Sequence, residues 1–338
     1  MRLDTANRSF AHLLGASLLI GMFVLCGAVG CVLFVLVASQ IGRHGLDAFS
    51  SEGHSLWPAV VFIGVVGGGA AVGVWSLVRQ VRASRRLGRR VRGLALPLPV
   101  ALTEAAGKAR LGGRVVLVDS AERFSFAYGA ITPRVAVSHG LFEAASAKEL
   151  DAVLEHEHYH VRNLDPLKVL LARALPAAFF YLPAFRSLHQ RYVAGRELAA
   201  DRRAVDRWGR KPLAGALFKV VRGPAWPELQ TAAAIGGPEL LDVRVAQLES
   251  GTEPRVAQTT PAVLVASALC ALVLSGLFVA SVISFGGASA VAHATGTSLR
   301  PLDAAGGVLC AAPWAAGAWL GYRWLSRRTR KQLDTTPS

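Results

Sequence analysis

The chain has 338 residues, of which 52% are hydrophobic and only 17% charged, and its formal charge at pH 7 is +15. Apolar residues gathered into long uninterrupted runs argue against an ordinary soluble domain and for a protein of the bilayer. Whether so much positive charge means nucleic acid or membrane depends on where it lies rather than on its sum.

Four stretches, residues 13–41, 57–78, 261–285 and 304–322, are long and charge-poor enough to span a membrane as helices. The first is too long for the apolar core of a signal peptide and lacks a convincing cleavage site, so it is expected to stay attached. Cys26, Cys31, Cys270 and Cys310 all fall inside these runs and read as small buried hydrophobes, not as disulfide partners or ligands. Gly64, Gly67, Gly68, Gly69 and Gly73 in the second run would let that helix pack closely on a neighbour.

The basic residues flank the spans. Seven arginines occupy residues 79–92, and Arg323, Arg327, Arg328, Arg330 and Lys331 follow the last run. The loops 43–54 and 286–303 hold one arginine each, offset by acidic residues. By the positive-inside rule both termini and the long central region are cytoplasmic, and no nucleic-acid partner is expected. Anionic lipid headgroups are a further use for the 79–92 cluster. Only 6 of the 37 basic residues are lysine, and alanine and glycine abound, a bias of GC-rich bacterial genomes, so the expected location is a bacterial cell membrane.

After Gly93, with Pro97 and Pro99 as breakers, residues 101–109 read as helix, and 114–119, 125–130 and 134–137 as strands, the last two separated by Thr132-Pro133. A small sheet therefore precedes a helix. Strand 134–137 is expected either to pair its edge with an extended substrate or to roof the helix that follows. Ser146 is a plausible N-cap for a helix from 147 to about 164, with Glu149 placed for a capping box.

That helix carries His156-Glu157-His158-Tyr159-His160. Residues four apart share a face, so His156 and His160 can offer two imidazoles to one cation, with Glu157 beside the site and His158 pointing elsewhere. Zinc suits two nitrogens plus a carboxylate and keeps a position for water, which it acidifies to a pKa of about 7. Glu157 is then the general base of peptide-bond hydrolysis without a covalent intermediate. Glu197, on a helix expected over about 188–208, is the third ligand, and Asp201 one turn later can accept the free ring N–H of a ligand histidine. His139 and Tyr192 are potential oxyanion donors, but ordinary hydrogen bonding is the expected role of each.

Residues 167–185 are again apolar but interrupted by Arg173, Pro176 and Pro183. A single crossing there would put Glu197 on the far side from His156 and His160. The metal site therefore requires this segment to be interfacial, re-entrant or packed on other helices.

The stretches Ser125-Phe126-Ala127-Tyr128-Gly129, Thr132-Pro133-Arg134-Val135-Ala136-Val137, Glu149-Leu150-Asp151-Ala152-Val153-Leu154 and Asn163-Leu164-Asp165-Pro166 resemble the beta-lactam sensor-transducer metallopeptidase family, among the membrane-embedded gluzincins. The heat-shock membrane protease and CAAX prenyl protease family, with the same helix and the Glu-x-x-x-Asp element, is a close second. The resemblance covers residues 101–248. It implies zinc held by His156, His160 and Glu197, with Glu157 as base and Asp201 behind the ligands. Arg244 resembles the arginine-leucine element that follows such sites, as a salt bridge or in catalysis. No large extracellular ligand-binding domain is expected after the last span, which argues against antibiotic sensing.

The expected architecture is thus mainly α: a polytopic membrane protein with about four transmembrane helices and a cytoplasmic zincin-like α+β catalytic domain. Residues 1–92 would form one membrane hairpin, 93–260 the catalytic domain and 261–338 a second hairpin. The function expected is a zinc endopeptidase acting at the cytoplasmic face on a regulator or a membrane protein. The competing reading is a signalling or scaffold protein in which a fourth protein ligand, His158 or His189, closes a structural metal site.

Overall fold

The computed structural model describes residue 15 and residues 57–220, 238–252 and 259–284. The runs expected to span at 13–41 and 304–322, and the basic tail, lie outside the described residues. Within them the chain is mainly helical with one small sheet.

Helix α1 (Trp57–Gly93) is 37 residues long, with an apolar first half and an arginine-rich second half. It stays continuous past Val78 because arginine, leucine and alanine are good helix formers. In its second half Ala83, Leu87 and Val91, spaced by one turn, are buried, while the arginines between them face outward. Among the described residues, α1 and α9 (Pro261–Ser284) are long and apolar enough to cross a membrane. Residues 67–270 form the compact unit that carries the sheet and its helices. A second unit includes the described residues 57–66 and 271–284, where the rings of Phe62 and Phe278 pack with centroids 5.4 Å apart.

Between them come β1 (Ala95–Leu96), α2 (Val100–Lys108), β2 (Val115–Val118), β3 (Ser125–Tyr128), β4 (Arg134–Ser138) and the short α3 (His139–Ala144). The sheet order is β1-β2-β4-β3, with β2 and β4 parallel and the other neighbours antiparallel. Side chains alternate faces along each strand. Val115, Leu117, Val135 and Val137 pack with α2 and with the helix that carries the histidine motif, whereas Val118, Phe124, Phe126, Tyr128 and Ala136 pack on Ala83, Leu87 and Val91 of α1. The sheet is thus sandwiched between the second half of α1 and the motif helix.

This order decides between the two expected roles of strand 134–137 in favour of roofing the motif helix. Residues 134–137 lie in an interior strand, paired on both sides, and have no free edge for a substrate. The edge strand next to the motif helix is β3.

Helix α4 (Ala147–Arg162) begins where the sequence places it: Glu149 N–H donates to Ser146 Oγ at 3.4 Å and Ser146 N–H to Glu149 Oε2 at 2.7 Å, a complete capping box. It ends where Asn163 Nδ2 donates to the Tyr159 carbonyl at 2.8 Å and Leu164 turns into the left-handed region at φ 54°. A leucine there costs roughly 1–2 kcal/mol and reverses the chain at once. Helix α5 (Asp165–Ala178) leads away, a turn at 179–182 follows, and α6 (Pro183–Trp208) returns, starting five residues before the expected position. The apolar segment 167–185 is therefore a helical hairpin, with Pro183 in the first turn of the returning helix, where its missing N–H is harmless.

Helices α7 (Arg210–Lys219) and α8 (Pro238–Ser250) pack near α6, and α9 follows. Of the five glycines expected to permit close packing, Gly69 and Gly73 do so: a Cβ at either would collide with Ala178 at the end of α5.

Candidate metal centre

His156, Glu157 and His160 sit on α4 and Glu197 and Asp201 on α6, all buried. Among the described elements the α4–α6 pair has the most extensive contacts, so the distance between the two half-sites is fixed by core packing. The Nε2 atoms of His156 and His160 are 3.2 Å apart, Glu197 Oε2 is 3.6 Å from the first and Oε1 3.7 Å from the second. One ligand atom from each residue lies within 4.8 Å of the others, the one such group of three or more among the described residues.

The ring orientations follow from carboxylates behind the cluster. His156 Nδ1 is 2.8 Å from Asp201 Oδ1, and His160 Nδ1 is 2.7 Å from Asp165 Oδ2. His160 Nδ1 is hydrogen-bonded to Asp165 and His156 Nδ1 is in ion-pair contact with Asp201, and the two Nε2 atoms face one another at contact distance. A shared proton satisfies that arrangement in the metal-free protein, and a shared cation satisfies it with both rings neutral. Zinc–nitrogen bonds at a tetrahedral angle separate ligand nitrogens by roughly 3.3 Å, so zinc fits the observed spacing.

Asp165, in Asn163-Leu164-Asp165-Pro166, is a site residue that the sequence pattern does not single out. Its function depends on the Leu164 reversal, which brings the first residue of α5 back beside the last turn of α4. Tyr192 donates its hydroxyl to Asp165 Oδ1 at 3.2 Å, so its role is to support this carboxylate, as the ordinary reading held.

Arginines sustain the negative charge. Arg244 on α8 donates Nε and Nη2 to Asp201 at 2.6 and 2.7 Å and places Nη1 3.7 Å from Glu197 Oε2. The salt-bridge role is thus the one the geometry displays. Arg196 Nη2 lies 3.2 Å from Glu197 Oε1. Burial pushes the Glu197 carboxyl up, but Arg196, His156, His160 and Arg244 together hold it well below the usual range. Asp201 is lowered too, against burial, by Arg244 and His156. On His156 burial opposes the charge, yet bonding to Asp201 and Glu197 outweighs it and pushes the imidazole up to about 9.

Glu157 has two distinct oxygens. Oε1 accepts from Ser125 Oγ of strand β3 at 2.9 Å, and Oε2 is buried with no hydrogen-bond partner among the described residues. Ser125 opens the stretch Ser125-Phe126-Ala127-Tyr128-Gly129, whose sequence alone does not tie it to Glu157. Its position follows from the strand period, which turns Ser125 and Ala127 toward α4 and Phe126 and Tyr128 toward α1.

Other histidines stand elsewhere. His158 faces Glu155 at 3.7 Å, a carboxylate already held by Arg203 and Arg207 at 2.9 and 3.0 Å. His139 pairs with Glu143 at 3.7 Å and lines a surface depression with Asp119 and Arg123. His189 is drawn to the Ala172 backbone, and burial beside Arg173 and Arg196 lowers it to about 4. Among the described residues no fourth protein group joins His156, His160 and Glu197.

No curated protein matches the chain. A family model described as BlaR1 peptidase M56 matches residues 47–248, a span holding the sheet, the helices of the cluster and Arg244. That match favours the sensor-transducer family over the heat-shock and prenyl protease family. It implies a peptidase, of a family whose members are generally metalloproteases and membrane proteins. On a match that covers well over half its length, the chain belongs to the BlaR1 peptidase M56 family.

Proposed function

We propose that this protein is a zinc-dependent membrane endopeptidase that hydrolyses protein substrates at the cytoplasmic face. His156, His160 and Glu197 would hold the ion, and Glu157 would be the general base. The observation that carries the reading is the pair of facing Nε2 atoms 3.2 Å apart, each imidazole backed by its own carboxylate.

Bound there, zinc supplies Lewis acidity that polarises a carbonyl and makes water a nucleophile near neutral pH. The remaining steps belong to the chain. Glu157 takes the proton of the attacking water at Oε2, the oxygen that lacks a partner, and delivers it to the leaving amine nitrogen. Ser125 holds the other oxygen so that the carboxylate cannot turn away. Asp201 and Asp165 fix the imidazole tautomers, and Arg244 keeps Asp201 ionised where it is fully buried. The edge of β3, unpaired among the described residues and one side chain from Glu157, is suited to align an extended peptide by main-chain hydrogen bonds, with little demand on its sequence.

The arginines of α1 and the tail favour cytoplasmic termini and a cytoplasmic site, in a bacterial cell membrane crossed by about four helices. The substrate is a soluble regulator or a membrane protein, and nucleic acid plays no part.

The test is metal analysis with Glu157→Gln. Purified protein should carry one zinc per chain, and the variant should keep that zinc while losing proteolysis. Protein without stoichiometric zinc, or a variant as active as the parent, would refute the proposal.

A further inference from the structure

The α5–α6 hairpin is tied to both candidate spans at a measurable height. In α1 the apolar run ends at Val78 and the first arginine is Arg79. Ala178, the last residue of α5, is the residue that a Cβ at Gly69 or Gly73 would strike. At 1.5 Å per residue these glycines stand roughly 9–15 Å above Arg79, inside the apolar half of α1. On the other side, Ser267 Oγ accepts from the Ala184 N–H at 2.9 Å and Ser187 Oγ donates to Thr259 Oγ1 at 3.0 Å. Ser267 lies within apolar α9 and Thr259 just before its start at Pro261. The level that separates apolar from polar chain therefore falls between Ala184 and Ser187.

The hairpin carries the same mark in its own sequence. Between Arg173 and Arg186 no residue is charged, and Arg173 is within electrostatic reach of Arg79. Folded in two, that stretch extends roughly 8 Å beyond its arginines, far less than a crossing needs and within the 5–10 Å of an interfacial insertion.

Four N–H groups around the turn meet the demand that hydrocarbon makes on a backbone, that polar groups be satisfied from within the protein. The N–H groups of Phe179, Leu182 and Phe185 donate to carbonyls of the hairpin at 2.8, 2.8 and 3.0 Å. Ala184 is capped by Ser267, and Pro183 has no N–H to satisfy. At the tip Phe180 is 59% exposed, an orientation that costs hydrophobic free energy in water and none in lipid.

We propose that the α5–α6 hairpin is inserted in the cytoplasmic leaflet, with the turn from Phe179 to Pro183 among lipid acyl chains and Arg173 and Arg186 at headgroup level, so that the chain enters and leaves on one side. The proposal rests on the reading of α1 and α9 as membrane spans. It also reconciles an apolar segment between the half-sites with His160 and Glu197 being on one side of the membrane.

The test uses the full chain, with Cys26, Cys31, Cys270 and Cys310 changed to alanine, in vesicles of phosphatidylethanolamine and phosphatidylglycerol. Nitroxides are attached at Phe180→Cys, at Val74→Cys on the exposed face of α1 and at Lys148→Cys on the exposed start of α4. Collision with oxygen reports lipid, collision with a water-soluble nickel chelate reports water, and protection from both reports protein. Phe180 is exposed, so the label displaces nothing, and an unchanged thermal transition verifies the fold. The ratio of oxygen to nickel accessibility at 180 should match that at 74 and exceed that at 148 severalfold. Water or protein contact at 180 with lipid at 74 overturns the hairpin insertion and leaves the spans standing. Water at 74 overturns the membrane reading of α1 and the insertion with it.

Discussion

Arg244 and Asp201 form a two-pronged pair at 2.6 and 2.7 Å, and the Asp201 oxygen in the longer contact is also 2.8 Å from His156 Nδ1. A residue on α8 thus fixes the orientation of an imidazole on α4 through a carboxylate on α6. The geometry is bidentate, which a guanidinium provides and an ammonium does not.

Arg244→Ala should therefore weaken zinc binding about 10–100-fold, the usual effect of losing a partner behind a metal ligand. It should also lower stability by about 3–5 kcal/mol, because Asp201 is left as an uncompensated buried charge. Arg244→Lys should recover only part of either. Competition against a chromogenic chelator and thermal unfolding measure the two effects. Wild-type zinc affinity in the alanine variant would reduce Arg244 to a helix-docking residue.

Asp165→Asn tests the corresponding partner of His160. An amide can orient the ring but cannot match a carboxylate in raising its basicity, so zinc affinity should fall about 10–100-fold, as for Asp201→Asn. Because the two carboxylates support different histidines that share one ion, the double variant should be non-additive. Additive losses in the chelator assay would mean that the imidazoles do not act on a common metal.

The contrast between these two aspartates shows where sequence reading stops. Asp201 was legible because it lies one turn from Glu197 on a helix, and helical period is local. So was the start of α4, since a capping box is written in four consecutive residues. Asp165 reaches His160 only through a leucine at φ 54°, a conformation that no residue type there announces. Three of the four strands were legible, but the two-residue β1 and the strand order were not. The interior place of β4 and the edge place of β3 come from pairing across the sheet, which alternation along one strand does not encode. The hairpin at 167–185 has the composition of a short span; the ligand set on either side argued against a single crossing, but which of the three alternatives holds is not written in its hydropathy.

Ser125→Ala removes the hydrogen bond to Glu157 Oε1. Such a bond to a charged group is worth about 1.5–3 kcal/mol, so kcat should fall roughly 10- to 100-fold while zinc content and KM stay near wild type. Ser125→Thr, which restores the hydroxyl, should regain most of the rate. If threonine gives no rescue, or KM carries the loss, Ser125 acts on the substrate-binding strand and not on the base.

Acidity acts on the metal-free site in two opposite directions. The His156 value of about 9 lies above its ordinary 6.5, so its contribution to folding is complete below pH 6.5 and disappears as pH rises through about 9. Glu197 is depressed below 4.5, so its contribution is present above pH 4.5 and is lost as pH falls toward the folded value. The chelated protein should then be most stable in mildly acidic solution and lose Tm toward pH 9, where the zinc-loaded protein should not. Loading must displace the His156 proton, so zinc affinity should climb about tenfold per pH unit up to about pH 9. Calorimetric titration in two buffers of different ionisation enthalpy measures that release directly. A binding enthalpy independent of buffer at pH 7 would show that His156 is already neutral, and that the pull of Asp201 and Glu197 does not outweigh its burial.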